Sequence, residues 1–162
     1  MRTYADVDWS TWTPNMRGTL LFVLHEGQAL LIRKKRGLGA GKINAPGGKI
    51  DPGETALQAA VREVQEEVGV TALAIEEVGE LSFQFVDGLR MHVVVYVARG
   101  HQGQPVETDE AIPLWVPLGS IPYDEMWADD RVWIPWMLRG ASFHLRGLFD
   151  GDTMLGHEIG PR

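Results

Sequence analysis

Glu63, Glu66 and Glu67 stand at i, i+3 and i+4 in the segment Arg62-Glu63-Val64-Gln65-Glu66-Glu67-Val68. At about 100° per residue they fall within an arc of roughly 100° on an α-helix. Each close like-charge pair costs an isolated helix ~0.2–0.5 kcal/mol, so the cluster asks for a counter-charge. Mg²⁺ is a suitable one: it is a hard cation, takes oxygen ligands, and is commonly held by one or two carboxylates together with substrate phosphates. Arg62 is the other, within reach of Glu66 at i+4 or of Glu54. An isolated acidic helix face of this kind would simply be solvated.

The elements that must position these carboxylates are readable around them. Thr55 with Gln58 three residues on fits a capping box, and Gly69 fits a left-handed stop, so a helix is expected over 55–68. Leu57, Ala60, Val61, Val64 and Val68 define its apolar face, centred on Leu57 with the three glutamates off it. The preceding stretch KKRGLGAGKINAPGGKIDPGE is rich in glycine and proline and reads as mostly loop, with Gly47, Gly48 and Gly53 able to bring backbone close to a metal or phosphate. Thr19–Leu24 and Ala29–Arg33 form a hairpin pattern, as do Leu81–Val86 with Met91–Ala98, and Ser142–Leu148 with Thr153–Ile159. Leu114–Pro117 is a short strand. Asp129 or Asp130 begins a second helix to about Leu138, with Pro135 inside it. The sum is an α+β domain: a mixed sheet with two helices. Residues 1–16 show no sustained period and read as an N-terminal arm, leaving 17–162 as the domain.

Composition bounds the rest. The chain has 162 residues, a net charge of −7, no cysteine, 19 glycines and six tryptophans. That length suits one domain with a core of its own. The lack of cysteine excludes disulfides, thiolate metal sites and cysteine nucleophiles. The acidic balance argues against bulk attraction to a nucleic-acid polymer, so a phosphate must be gripped locally or through a cation. No apolar run approaches the ~20 residues of a membrane span, and the first residues lack a signal-peptide core. Cytoplasmic location, no membrane partner, and a monomer or weak homo-oligomer are the expectations.

Gly48, five residues, Glu54, seven residues, then Arg62-Glu63-Val64-Gln65-Glu66-Glu67-Val68-Gly69-Val70 matches the Nudix box at every specified position. The chain therefore resembles the Nudix hydrolases. The resemblance implies an α/β/α sandwich around a mixed sheet, Mg²⁺ dependence (with Mn²⁺ as substitute), and attack of water on phosphorus. It implies Glu63, Glu66 and Glu67 as ligands or ligand plus base, with Glu63 or Glu67 the general base, and Glu54 and Arg62 as supports of the loop and helix. The implied metal set is Gly47, Glu63, Glu66, Glu67 and Glu110.

Beyond the box the chain looks most like the MutT-type oxidised purine nucleoside triphosphatases. Anchors include Lys34-Lys35-Arg36-Gly37, Asn44, Phe83 and Phe85, Asp109-Glu110, and Met126-Trp127 with Asp129-Asp130 and Trp133. That likeness puts Trp127 on a purine face, Asp129 and Asp130 on its edge, Asn44 opposite them, Thr19 and Lys34 on the pocket floor, and Phe83 among the substrate-binding residues. Taken alone, Trp127, Trp133 and Phe83 read as core, the aspartates as helix caps and Asn44 as a turn residue. The implied activity is cleavage of oxidised purine (deoxy)nucleoside triphosphates, such as 8-oxo-dGTP or 2-hydroxy-dATP, to monophosphate and pyrophosphate. The alternatives are another nucleoside tri- or dinucleoside polyphosphate and, behind it, a non-catalytic nucleotide-binding module. Gly18 and Leu38 stand where the animal enzymes have aromatic residues, which implies a wider pocket or one filled by Trp9 or Trp12.

Overall fold

The computed structural model describes residues 2–162. Strand β1 (Met16–His25) turns tightly into β2 (Gln28–Lys34) through Glu26 and Gly27, both at positive φ, as a two-residue hairpin requires. The two strands pair only beside that turn, Val23–His25 against Gln28–Leu30. Beyond it each takes a different neighbour: β3 (Ile43–Asn44) pairs with β2, and β4 (Gly47–Lys49) pairs with β1. The segment 43–49 therefore lies in the fork between two splayed strands. Its glycine and proline content suggests mostly loop, and within it two short strands form because the fork supplies unpaired backbone groups.

Helix α1 (Ala56–Val68) follows, then β5 (Thr71–Phe85), β6 (Arg90–Gln102), β7 (Ala111–Pro117), α2 (Asp130–Leu138), β8 (Phe143–Asp150) and β9 (Thr153–Gly160). The sheet has nine strands in the order β3-β2-β1-β6-β5-β8-β9, with β4 added on β1 and β7 on β2. It is mixed: β1 runs parallel to β6 and β5 parallel to β8, while the hairpins are antiparallel. Alternation along β1 sorts the core into two layers. Leu21 and Val23 pack with Ala60, Val64 and Val68 of α1, whereas Phe22 packs with Trp133, Ile134 and Met137 of α2. The helices thus cover opposite faces, giving an α/β/α sandwich.

The N-terminus of α1 is built as its sequence suggests: the Thr55 hydroxyl accepts from the Gln58 N–H at 3.1 Å and the Gln58 side chain accepts from the Thr55 N–H at 2.9 Å. Gly69 ends it at φ 73°. The apolar face is rotated from the one expected. Leu57, in the first turn, is 44% exposed, while Ala59, Ala60, Val64 and Val68 are buried. A helical wheel gives direction about the axis but not whether a partner lies there. With the face recentred near Ala60, Glu67 falls about 20° from its middle, and Glu67 is indeed buried at 3% exposure. Strands β5 and β7 also begin earlier than Leu81 and Leu114; residues 71–80 of β5 show no clean alternation, with Leu73 and Ala74 both exposed, Glu76 and Glu77 both exposed, and a register shift between Glu77 and Gly79. Asp129 precedes α2 in helical conformation and makes no capping hydrogen bond.

Gly47 lies so close to β1 that a Cβ there would overlap the Thr19 carbonyl. Gly47→Ala is expected to lower stability by about 1–3 kcal/mol, the usual cost of overpacking, and to weaken cation binding with it. Urea unfolding and calorimetric Mg²⁺ titration of the variant measure the two effects.

Candidate active site

Arg62 organises the carboxylates. Its guanidinium donates to Glu54 at 2.7 and 2.9 Å, to Glu63 at 2.9 Å, to Glu66 at 3.2 Å and to the Lys49 carbonyl at 3.0 Å. Both sequence-suggested partners, Glu54 and Glu66, are therefore engaged at once. The hydrogen bond from Arg62 holds the Glu54 carboxyl down at about 2. Glu54 also accepts from the Asp51 N–H at 2.8 Å, which closes the Gly53 turn and pins the loop before α1.

Glu63 and Glu67 meet side by side beneath β4. Glu67 accepts from the Gly47 N–H at 3.1 Å, and a Cβ on Gly48 would lie 2.6 Å from the Glu63 carboxylate. The two glycines thus let backbone close over the pair. Burial pushes the Glu67 carboxyl up to about 8, against the Gly47 hydrogen bond and with help from the neighbouring Glu63 charge. Burial raises Glu63 as well, although Arg62 opposes it. A buried and a half-buried carboxyl in contact need either a shared proton or a cation between them. The donor set, all hard carboxylate oxygen, fits a divalent cation. Glu66 is turned outward on Arg62, and Glu110 lies across a loop on Arg36 at 3.4 Å. Among the described residues no three acidic or histidine side chains converge on one point.

Beyond Gly47 and Gly48 opens a cavity of 310 Å³. Thr19, Lys34, Asn44, Phe83, Trp127, Asp129 and Asp130 all line it, whereas Glu54, Arg62, Glu63, Glu66, Glu67 and Glu110 do not. Gly47 and Gly48 are the border between the two parts. Trp127 is braced edge-on by Phe85 and Phe149, at centroid separations of 6.4 and 5.9 Å, with the Lys42 ammonium 5.4 Å from its ring. Gly39 lets the loop touch it, since a Cβ there would sit 2.8 Å from the indole nitrogen. The Asn44 carbonyl accepts from the Ala45 N–H at 3.0 Å, which sets the orientation of its amide.

Asp129 and Asp130 are 4% and 2% exposed. Asp129 accepts from the Trp133 indole N–H at 2.8 Å, yet burial still pushes its carboxyl up to about 6. Asp130 is raised further, by burial and then by the Asp129 charge. One oxygen of Asp130 and the Thr19 hydroxyl are buried without any hydrogen-bond partner. Orphaned polar atoms facing a cavity are costly and mark where a ligand's polar edge would sit.

Gly18 and Leu38 do line the cavity, and Leu38 is 47% exposed. Trp9 and Trp12 do not fill the space beside them: Trp12 lies behind the sheet, bonded to Gln84. Met16, Met91 and Phe149 line the cavity without having been singled out by sequence. Met91 was findable, because the β5–β6 hairpin sets it opposite Phe83. Phe149 was not, because it arrives through the distant parallel pairing of β8 with β5.

A glutamate pair on a helix, one member buried, with a glycine-lined backbone over it and an aromatic cavity alongside, fits a hydrolase of the phosphate-cleaving, cation-assisted class. A NUDIX domain is matched over residues 14–137, and the chain belongs to the Nudix family, whose hydrolases generally need a divalent metal. It is 41% identical to the oxidized purine nucleoside triphosphate hydrolase of Danio rerio over 143 residues, 87% of this chain and 92% of that protein. It is 39% identical to the Mus musculus protein of the same name, with the same coverage. Its fold superposes on the crystal structure of a mutator MutT protein from Bacillus halodurans with a TM-score of 0.81 and 26% identity, covering 91% of this chain and 99% of that one. No helix among the described residues is long and apolar enough to cross a membrane.

The raised Glu67 carboxyl gives a signed pH dependence. A folded-state value near 8 above the ordinary 4.5 means the cation-free fold prefers the proton. Its contribution is fully present below about 4.5 and is lost as pH rises through about 8. A cation must displace that proton, so its affinity rises over the same window. Mg²⁺ is expected to raise Tm more at pH 8.5 than at pH 6. An equal rise at both would show that the pair binds no cation.

Proposed function

We propose that the protein hydrolyses purine nucleoside triphosphates carrying an oxidised base, such as 8-oxo-dGTP or 2-hydroxy-dATP, to the monophosphate and pyrophosphate. The observation that carries this reading is the buried Asp129–Asp130 pair with an unpartnered Asp130 oxygen in the cavity beside Trp127. A carboxyl kept protonated by burial donates a hydrogen bond, and its ionised neighbour accepts one. Together they can match a purine edge whose donor and acceptor pattern has been altered by oxidation. Trp127 supplies the stacking face, Asn44 a further amide, Phe83 the apolar wall, and Thr19 and Lys34 the floor. The substrate named for the zebrafish and mouse relatives is of this chemistry.

Mg²⁺, or Mn²⁺ in its place, is the proposed cation, held by Glu63 and Glu67 with Glu66, Glu110 and the Gly47 carbonyl completing the set. When bound it would neutralise the carboxylates and orient the polyphosphate for attack by water. The protein's own residues do the rest. The glutamate pair takes the proton from the water as its oxygen adds to phosphorus and the bridging P–O bond breaks. Arg62 and Glu54 keep the helix and loop in register, and the cavity fixes the base so that the phosphates lie over Gly47 and Gly48. The protein works on free nucleotides, as a cytoplasmic monomer or weak homo-oligomer, without a nucleic-acid polymer or membrane.

Three measurements test this. In a panel of nucleoside triphosphates with Mg²⁺, 8-oxo-dGTP or 2-hydroxy-dATP should give a higher kcat/KM than dGTP or dATP; equal values would remove the oxidised-base reading. Glu67→Gln should lower kcat by about 10²–10⁴-fold, the usual worth of a general base, while nucleotide binding persists. Trp127→Ala should cost ~1–3 kcal/mol of base affinity, seen as a rise in KM.

A further inference from the structure

The family match begins at residue 14, yet residues 12–15 are bonded to the sheet directly behind the cavity. The Trp12 indole N–H donates to the Gln84 side-chain carbonyl at 3.0 Å. Gln84 is buried, and its amide nitrogen donates in turn to the Phe85 backbone carbonyl at 2.8 Å. Phe83 and Phe85, on either side of Gln84, point through the sheet into the cavity. Phe85 stacks on Phe149 at 5.5 Å and braces Trp127. The same arm clamps the turn between β5 and β6. Asn15 accepts from the Arg90 N–H at 2.7 Å and donates to the Gly88 carbonyl at 3.1 Å, and the Thr13 carbonyl accepts from the Arg90 guanidinium at 2.7 Å. That turn joins the strand ends bearing Phe85 and Met91, both cavity residues.

We infer that Trp12 is a positioning residue for base recognition: it acts through Gln84 to hold Phe85, and so Trp127, in the geometry that receives the base. The physical link is one contiguous chain, Trp12 N–H to Gln84 to the Phe85 carbonyl to the rings of Phe149 and Trp127. Every member but the first lies in the sheet or the cavity wall. A buried amide bonded at both ends has one orientation, whereas one that loses a partner must rotate or leave a polar atom unpaired. Trp12 does not touch the base, and the glutamate pair lies apart from the chain, so the effect belongs to binding and not to cleavage. The inference rests on the cavity being the base site, as proposed above.

The test compares Trp12→Phe, which keeps a ring and removes the N–H, with Trp115→Phe, a change of the same size on β7, where the ring packs on His25 and His101 and does not line the cavity. Each is assayed with whichever nucleoside triphosphate the wild type turns over best, alongside Tm. Loss of one neutral hydrogen bond should raise KM by about five-fold in Trp12→Phe, with kcat changed by less than about two-fold and Trp115→Phe at the wild-type KM. Gln84→Glu, which keeps the acceptor for Trp12 but loses the donor to Phe85, should reproduce the KM rise. An unchanged KM in Trp12→Phe, or equal rises in the two tryptophan variants that follow their loss of Tm, would overturn the inference. Failure of the oxidised-base reading shows in the wild-type panel alone, and failure of the inference shows in the ratio of variant to wild type.

Discussion

One guanidinium holds the chemistry together. Arg62 lies among Glu54, Glu63, Glu66 and the Lys49 carbonyl, and its planar fork of donors can satisfy several oxygens at fixed angles where an ammonium could not. Its neighbours hold it still more firmly protonated, the Glu54 hydrogen bond first among them. Without that charge three carboxylates on two turns of helix would repel each other and the loop they must face. With it, the loop from Lys49 to Glu54 is tied to α1, and the backbone of β4 is brought down over the remaining pair. The burial of Glu67 then follows from the fold and not from any preference of a carboxylate for the interior.

The site repeats one electrostatic device at its two ends. Glu63 with Glu67 and Asp129 with Asp130 are both close acidic pairs removed from water, and in both pairs burial is the larger cause of the raised carboxyls. They differ in what surrounds them. The glutamates have the Gly47 N–H and the Arg62 guanidinium beside them and offer hard oxygen atoms, as suits a cation. The aspartates have indole and aromatic walls, as suits the edge of a flat, polar ring. Repulsion of this kind is relieved either by a cation or by a shared proton, and the hard-oxygen surroundings of the glutamates suit the first while the aromatic walls of the aspartates suit the second.

Much of this is legible in the sequence, for local reasons. The capping box at Thr55 and Gln58, the stop at Gly69 and the spacing from Gly48 to Val70 are short-range signals, and short-range signals survive without coordinates. The hairpin from Phe83 to Met91 is legible because alternation and an Asp-Gly turn specify its register. What is hidden depends on neighbours far along the chain. Glu67 looks solvent-facing until β1 and β4 are placed against α1. The strands at 43–44 and 47–49 look like loop until β1 and β2 diverge, and Phe149 reaches the cavity only through β8. Trp12 reads as part of an aperiodic leader because its partner, Gln84, sits 72 residues away.

The fork between β1 and β2 has a geometric consequence. Asn44 and Ala45 border the cavity on one side of the segment it contains, and Gly47 and Gly48 cover the glutamate pair on the other. A handful of consecutive peptide units, paired to a strand at each end, therefore spans from the aromatic cavity to the glutamate pair like a ruler. Drift in the side chains around the cavity would change what it admits, while the distance from cavity to glutamates would stay at the same mark.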